Sequence, residues 1–160
     1  MPNVLPLSIG DLPYPNRSVV DTEIIKNALA IAKGKIYTLD AAGRLIAPVT
    51  TSSVADLTKG KVQALDDATA PTAEDTDSVQ VAKVGSRIIL KADPNLVPGQ
   101  DVDLKAVTST TTADKCMAAV SPHGKGYLGK IFEIYSEGTD QARKQVTADG
   151  DLVVIDLGVA

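Results

Sequence analysis

Through much of the chain, short apolar runs alternate with polar positions and stop at Gly, Pro, Asn or Asp within four to eight residues. That period and that length belong to β-strands. The clearest unit is Ile36-Tyr37-Thr38-Leu39, Asp40-Ala41-Ala42-Gly43, Arg44-Leu45-Ile46. Asp40 opens a type I turn and Gly43 takes the left-handed position that closes it, so residues 36–46 read as a hairpin. Further strands are expected at residues 61–65, 78–83, 87–91, 102–106, 116–120, 128–135 and 151–157. Residues 48–58 and 108–113 are Thr-rich loops, and residues 66–77, acidic and interrupted by Pro71, read as an exposed loop.

One segment carries two patterns. Ile24, Ile25, Ala28 and Leu29 fit a helical stripe behind an Asp21 cap, whereas residues 28–32 also read as a strand. The strand is favoured because the segments next along the chain are β. Helix is confined to residues 22–30 or 138–146, at most one or two short helices in a mainly β chain. Strands separated by turn signals every 8 to 14 residues suggest a small barrel or sandwich.

The first twenty residues differ from the rest. Pro2, Pro6, Pro13 and Pro15 exclude a helix or a central strand there. Yet Val4, Leu5, Leu7, Ile9, Leu12 and Tyr14 make the segment too apolar for a solvated tail. An extended arm lying on an apolar surface satisfies both, and that surface is either its own domain or a neighbouring subunit. The chain thus divides into an arm, residues 1–20, and a β body, residues 21–160.

Composition narrows the function. The 160 residues carry 44% hydrophobic but only 3% aromatic side chains, with no Trp. Aromatic rings supply much of the contact area in ligand pockets and base-stacking platforms, so both uses are disfavoured. The net charge of −4 argues against a nucleic-acid partner, which calls for a basic patch. No apolar run approaches the roughly 20 residues of a membrane helix, and the proline-broken N-terminus does not read as a signal peptide. Synthesis and assembly in a cytoplasm are expected. The single cysteine, Cys116, has no internal disulfide partner and reads as a small buried hydrophobe.

Residues 124–131, Gly-Lys-Gly-Tyr-Leu-Gly-Lys-Ile, satisfy both G-x-G-x-x-G and G-x-x-x-x-G-K. Either motif needs a helix next, whose N-terminal amides hold the phosphate, and the second needs Ser or Thr where Ile131 stands. A β-branched and aromatic run comes next instead, so the glycines are better read as a loosened turn between strands. His123 is the only histidine. It excludes a multi-histidine metal site and leaves Cys116 or Ser121 a single candidate base, for which a solvated loop histidine is the simpler account. The acidic clusters at 66–67 and 74–77 lack the glycine and terminal glutamate of a calcium loop. Asp101 and Asp103 share one side of a strand, where they could share a cation or face water, and solvated surface charge is the simpler account. No catalytic residue, cofactor or metal is expected.

The order Ala30-Ile31-Ala32-Lys33-Gly34-Lys35-Ile36-Tyr37-Thr38-Leu39-Asp40, Gly43-Arg44-Leu45, Val97-Pro98-Gly99-Gln100-Asp101-Val102 resembles the capsid decoration, or cement, proteins of tailed double-stranded DNA bacteriophages. The closing stretches at residues 127–131 and 150–155 are similar to them too. The resemblance covers roughly residues 28–160. It implies a β-barrel or β-tulip body, a homotrimer on the outer surface of the virion, and an N-terminal arm on the major capsid protein. The alternatives are another virion β domain (tail, baseplate or fibre base), or a small enzyme using Cys116, Ser121 or His123.

Overall fold

The computed structural model describes residues 6–51, 54–105, 114–120, 124–138 and 140–159. Val4, Leu5, Ser121, His123 and the Thr-rich segment at 108–113 lie outside the described residues. The chain is mainly β, and the one helical element among the described residues is a 3₁₀ turn at Pro15–Arg17. Neither 22–30 nor 138–146 contributes a helix among the described residues. The turn falls instead within the proline-rich arm, where Pro15 occupies the first helical position and gives up no bonded N–H.

Thirteen strands come after it among the described residues: β1 Val20–Ile24, β2 Ile36–Leu39, β3 Leu45–Ile46, β4 Thr50–Thr51, β5 Val54–Ala55, β6 Val62–Ala64, β7 Ser78–Ala82, β8 Arg87–Ala92, β9 Asp101–Leu104, β10 Lys115–Ala118, β11 Tyr127–Tyr135, β12 Arg143–Lys144 and β13 Leu152–Leu157. The larger sheet has the order β12-β11-β13-β8-β10-β9, and β9 returns to pair with β11. Five of its strands therefore close into a ring around Ile88, Leu90, Val102, Leu104, Leu128, Ile131, Val153 and Ile155. A second sheet, β1-β7-β6-β2-β3, curls over its own core of Ile25, Tyr37, Leu45, Val62, Val79 and Val81. Gln63 ties the two together, its amide donating to the carbonyls of Gly34, 3.0 Å away, and Ile89, 2.8 Å away.

The strand expected at 28–32 is not formed. Ala28 turns the chain with φ +67°, and Ile31 makes only an isolated bridge to Ala68. The strand of this region is β1, one step earlier, where exposed residues hid the alternation. The 48–58 loop likewise holds the two-residue ladder of β4 and β5. The 36–46 hairpin forms as expected: Gly43 has φ +81°, its N–H donates to Asp40 O at 3.0 Å, and Asp40 Oδ1 accepts from Ala42 and Arg44.

Gly129 sits inside β11, with φ +151°, where the strand is paired on both sides. A Cβ there would lie 1.9 Å from Asp156 O. The motif-like glycine spacing is a device for bending a barrel strand. The residues after it continue as strand, through Tyr135.

Residues 6–14 lie along the barrel. Leu7 is buried with Ile89, Tyr135, Leu152 and Val154, and Ile9 and Leu12 pack partly buried against the main core. Gln141 clamps the Leu7 backbone, accepting from its N–H at 2.6 Å and donating to its carbonyl at 2.9 Å.

Candidate functional site

Three places gather functional groups. The first is the clasp that holds the arm. Tyr14 donates to the Glu133 carboxylate, which also accepts from Tyr135 at 2.9 Å and faces Arg143 at 3.5 Å. The guanidinium of Arg87 lies 3.6 Å from the Phe132 ring centroid and 5.0 Å from that of Tyr14, and it pairs with Asp156 at 2.9 Å. Burial, reinforced by the Glu133 bond, raises the Tyr14 hydroxyl far above its ordinary value and pushes Tyr135 up to about 12. Three of the chain's five aromatic residues meet here. Leu7 is thereby buried against its own domain, and Ile9, Leu12 and Tyr14 are partly buried there.

The second place is a buried polar group outside the barrel wall. Asp103 is 1% exposed rather than solvated, although its neighbours Val102 and Leu104 are the ones that join the barrel core. One carboxylate oxygen accepts from Val120 N–H at 3.0 Å; the other is buried without a hydrogen-bond partner among the described residues. Burial raises the Asp103 carboxyl above the ordinary range. Lys61, itself 8% exposed, donates to the Tyr127 carbonyl, and its ammonium lies 4.8 Å from that ring's centroid. Burial brings Lys61 down to about 8, opposed by the charge of Asp103. Asp101, two residues from Asp103, accepts from Tyr127 Oη at 2.9 Å and pairs with Lys130 at 3.1 Å. Sequence reasoning missed Lys61; only its place beside β6 marked it, and a lysine flanking a strand is ordinarily solvated.

Lys61 also forms the floor of a cleft of about 450 Å³ lined by Leu57, Val84, Lys125, Tyr127 and Val159. The third place adjoins it. Val19 and Val20 are 47% and 45% exposed, and Val19 Cγ2 lies beside Gly85, next to Val84. β1 pairs only with β7, so among the described residues its other edge is unpaired from Val20 to Ile24, with Thr22 N–H donating to its own neighbour Asp21 Oδ1 at 2.8 Å.

Cys116 is fully buried in β10, and burial pushes its thiol up to about 12. A thiol so placed is not a nucleophile at neutral pH. Among the described residues no group of three metal-binding side chains converges, and no helix is long and apolar enough to cross a membrane. The acidic segment at 66–77 is exposed but tied down: Arg44 pairs with Asp75 at 2.8 Å and Glu74 at 3.3 Å, and Pro71 accepts from Ala28 N–H at 2.9 Å. No family model, no curated protein and no solved structure matches the chain.

Proposed function

We propose that this chain is a structural virion protein that binds the outer surface of the expanded shell of a tailed bacteriophage and stabilises it by bridging major capsid protein subunits. The observation that carries the reading is the outward face of β1. An open strand edge flanked by exposed Val19, Val20 and Ile24 is a liability in a solitary protein and an asset where an extended segment is to be added to the sheet. A rigid, loop-tied β body supports the same role, since a clamp must hold its contact surface in one geometry. The sequence resemblance to decoration proteins supplies the capsid and the homotrimer. Association around a symmetry axis gives the exposed apolar residues a second way to be covered.

Stabilisation arises by mass action: a clamp that binds the expanded shell and not its precursor shifts the balance toward expansion. The test is electron cryo-microscopy of the native particle. Density for this chain on the outside of the head is expected. Its confinement to the tail, or to the interior of the shell, would overturn the proposal in favour of another virion component.

A further inference from the structure

The cleft between Leu57, Val84 and Val159 is lined by two charged residues, and both are lysines, in a protein whose net charge is −4. Leu57, Val84 and Val159 make much of its lining apolar, and Lys61 enters it with the buried Asp103 carboxyl nearby. Lys61 spends one donor on the Tyr127 carbonyl, and no other hydrogen bond or ion pair of its ammonium occurs among the described residues. An ammonium has three donors, and a buried one gains most from an acceptor that brings a charge. Lys125, at the rim, has no ion pair among the described residues. The carboxylate near it, Asp56, is turned to Thr58, accepting from both its N–H at 3.0 Å and its hydroxyl at 2.7 Å. Those bonds hold Asp56 below the usual carboxylate range, with Lys125 and Lys59 adding to the effect.

We infer that this cleft is a docking site for an extended acidic segment of the neighbouring shell subunit, one carboxylate reaching Lys61 and Lys125 while adjacent apolar residues cover Val84 and Val159. The inference rests on the capsid-binding reading above. A second copy of this chain is the poorer occupant, because three of the five carboxylates of its acidic loop are already committed. Glu74 and Asp75 are tied to Arg44, and Asp67 accepts from Lys33 N–H at 2.7 Å. The adjoining exposed strip at Val19 and Val20 gives the incoming segment a continuous apolar path toward β1.

The test uses the full chain and empty expanded shells assembled from the major capsid protein that accompanies it, with binding measured by co-sedimentation. Lys125→Glu, Val84→Asp and Val159→Asp are each expected to weaken binding tenfold or more without moving the melting temperature. Val146→Asp, at an exposed valine away from the cleft, should leave binding unchanged. Zero-length carbodiimide cross-linking should join Lys125 to an Asp or Glu of the shell subunit. Wild-type affinity in all three cleft variants overturns the inference and leaves the function standing. Cross-links from Lys125 to a second copy of this chain overturn it in favour of self-association. Failure of the wild-type chain to bind shells at all removes the capsid-binding reading, and the inference with it.

Discussion

Replacing Gly129 with alanine probes the element on which the barrel depends. Two costs add. The residue has φ +151°, a region that L side chains rarely enter, which costs roughly 1–3 kcal/mol. The new methyl would also sit 1.9 Å from Asp156 O in the paired strand and 3.0 Å from Gly158 N just beyond it, backbone atoms that no rotamer change can move. Forcing β11 and β13 apart is an overpacking defect of about 1–3 kcal/mol. Their sum, about 4 kcal/mol, is a large part of the roughly 5–15 kcal/mol that holds a domain folded. At about 3 °C per kcal/mol for a chain of this size, Gly129→Ala should lower the melting temperature by about 12 °C. Gly43→Ala is the control. Its φ of +81° carries the conformational cost, but a Cβ there meets nothing within 4 Å, so a loss of about 1 kcal/mol is expected. Urea unfolding of both variants against wild type separates strain from clash. Equal losses in the two, or a Gly129→Ala loss below about 1 kcal/mol, would refute the bent-strand account of this motif.

Three further outcomes rest on the same contacts. Tyr14→Phe leaves the ring over Arg87 and removes only the hydroxyl on Glu133; it should cost about 1–2 kcal/mol and speed proteolytic cleavage within residues 6–14, and unchanged cleavage would mean the clasp does not hold the arm. Leu7→Ala truncates a side chain that is 5% exposed against Tyr135 and Leu152, so a loss of about 2–3 kcal/mol in urea unfolding is expected, and a loss near zero would place the arm elsewhere in solution. The Cys116 thiol, raised from its ordinary 9.0 to about 12, ionises first in the unfolded chain, so its share of stability is intact below pH 9 and is lost as pH rises from 9 toward 12. The native protein should therefore resist iodoacetamide at pH 8 until urea unfolds it, whereas stoichiometric labelling of folded protein would show the thiol to be accessible.

What the sequence made legible was local. The 36–46 hairpin was readable because Asp40 and Gly43 set the turn by bonds to their own neighbours, and β7, β8, β11 and β13 were readable because one alternating face of each lies in a core. β1 was not, because its burial pattern is almost wholly exposed and only its pairing with β7 makes it a strand. The buried state of Asp103 was illegible for a related reason. Alternation along β9 correctly put it on the outside of the barrel, but the groups that meet it there, Val120 N–H and Lys61, come from distant parts of the chain. Lys61 is the clearest case. A lysine beside a short strand carries no mark of burial, and its environment is made by Tyr127 and Asp103, more than forty residues away.

The arm shows how a correct composition can serve either of two surfaces. Its prolines and its apolar residues established that it is extended and covered, but the covering surface is a long-range fact. In the folded chain the cover is the barrel itself, through Leu7 in the Ile89–Tyr135–Leu152 cluster and Tyr14 on Glu133. That shifts the weight of the proposed capsid contact. A segment that fills its own groove and is latched by a buried carboxylate has little left to give a partner, whereas the open edge of β1 and the lysine-floored cleft beside it have unmet backbone and side-chain donors among the described residues. If this chain clamps a shell, the grip comes from that face, and the arm's part is to keep the barrel behind it rigid.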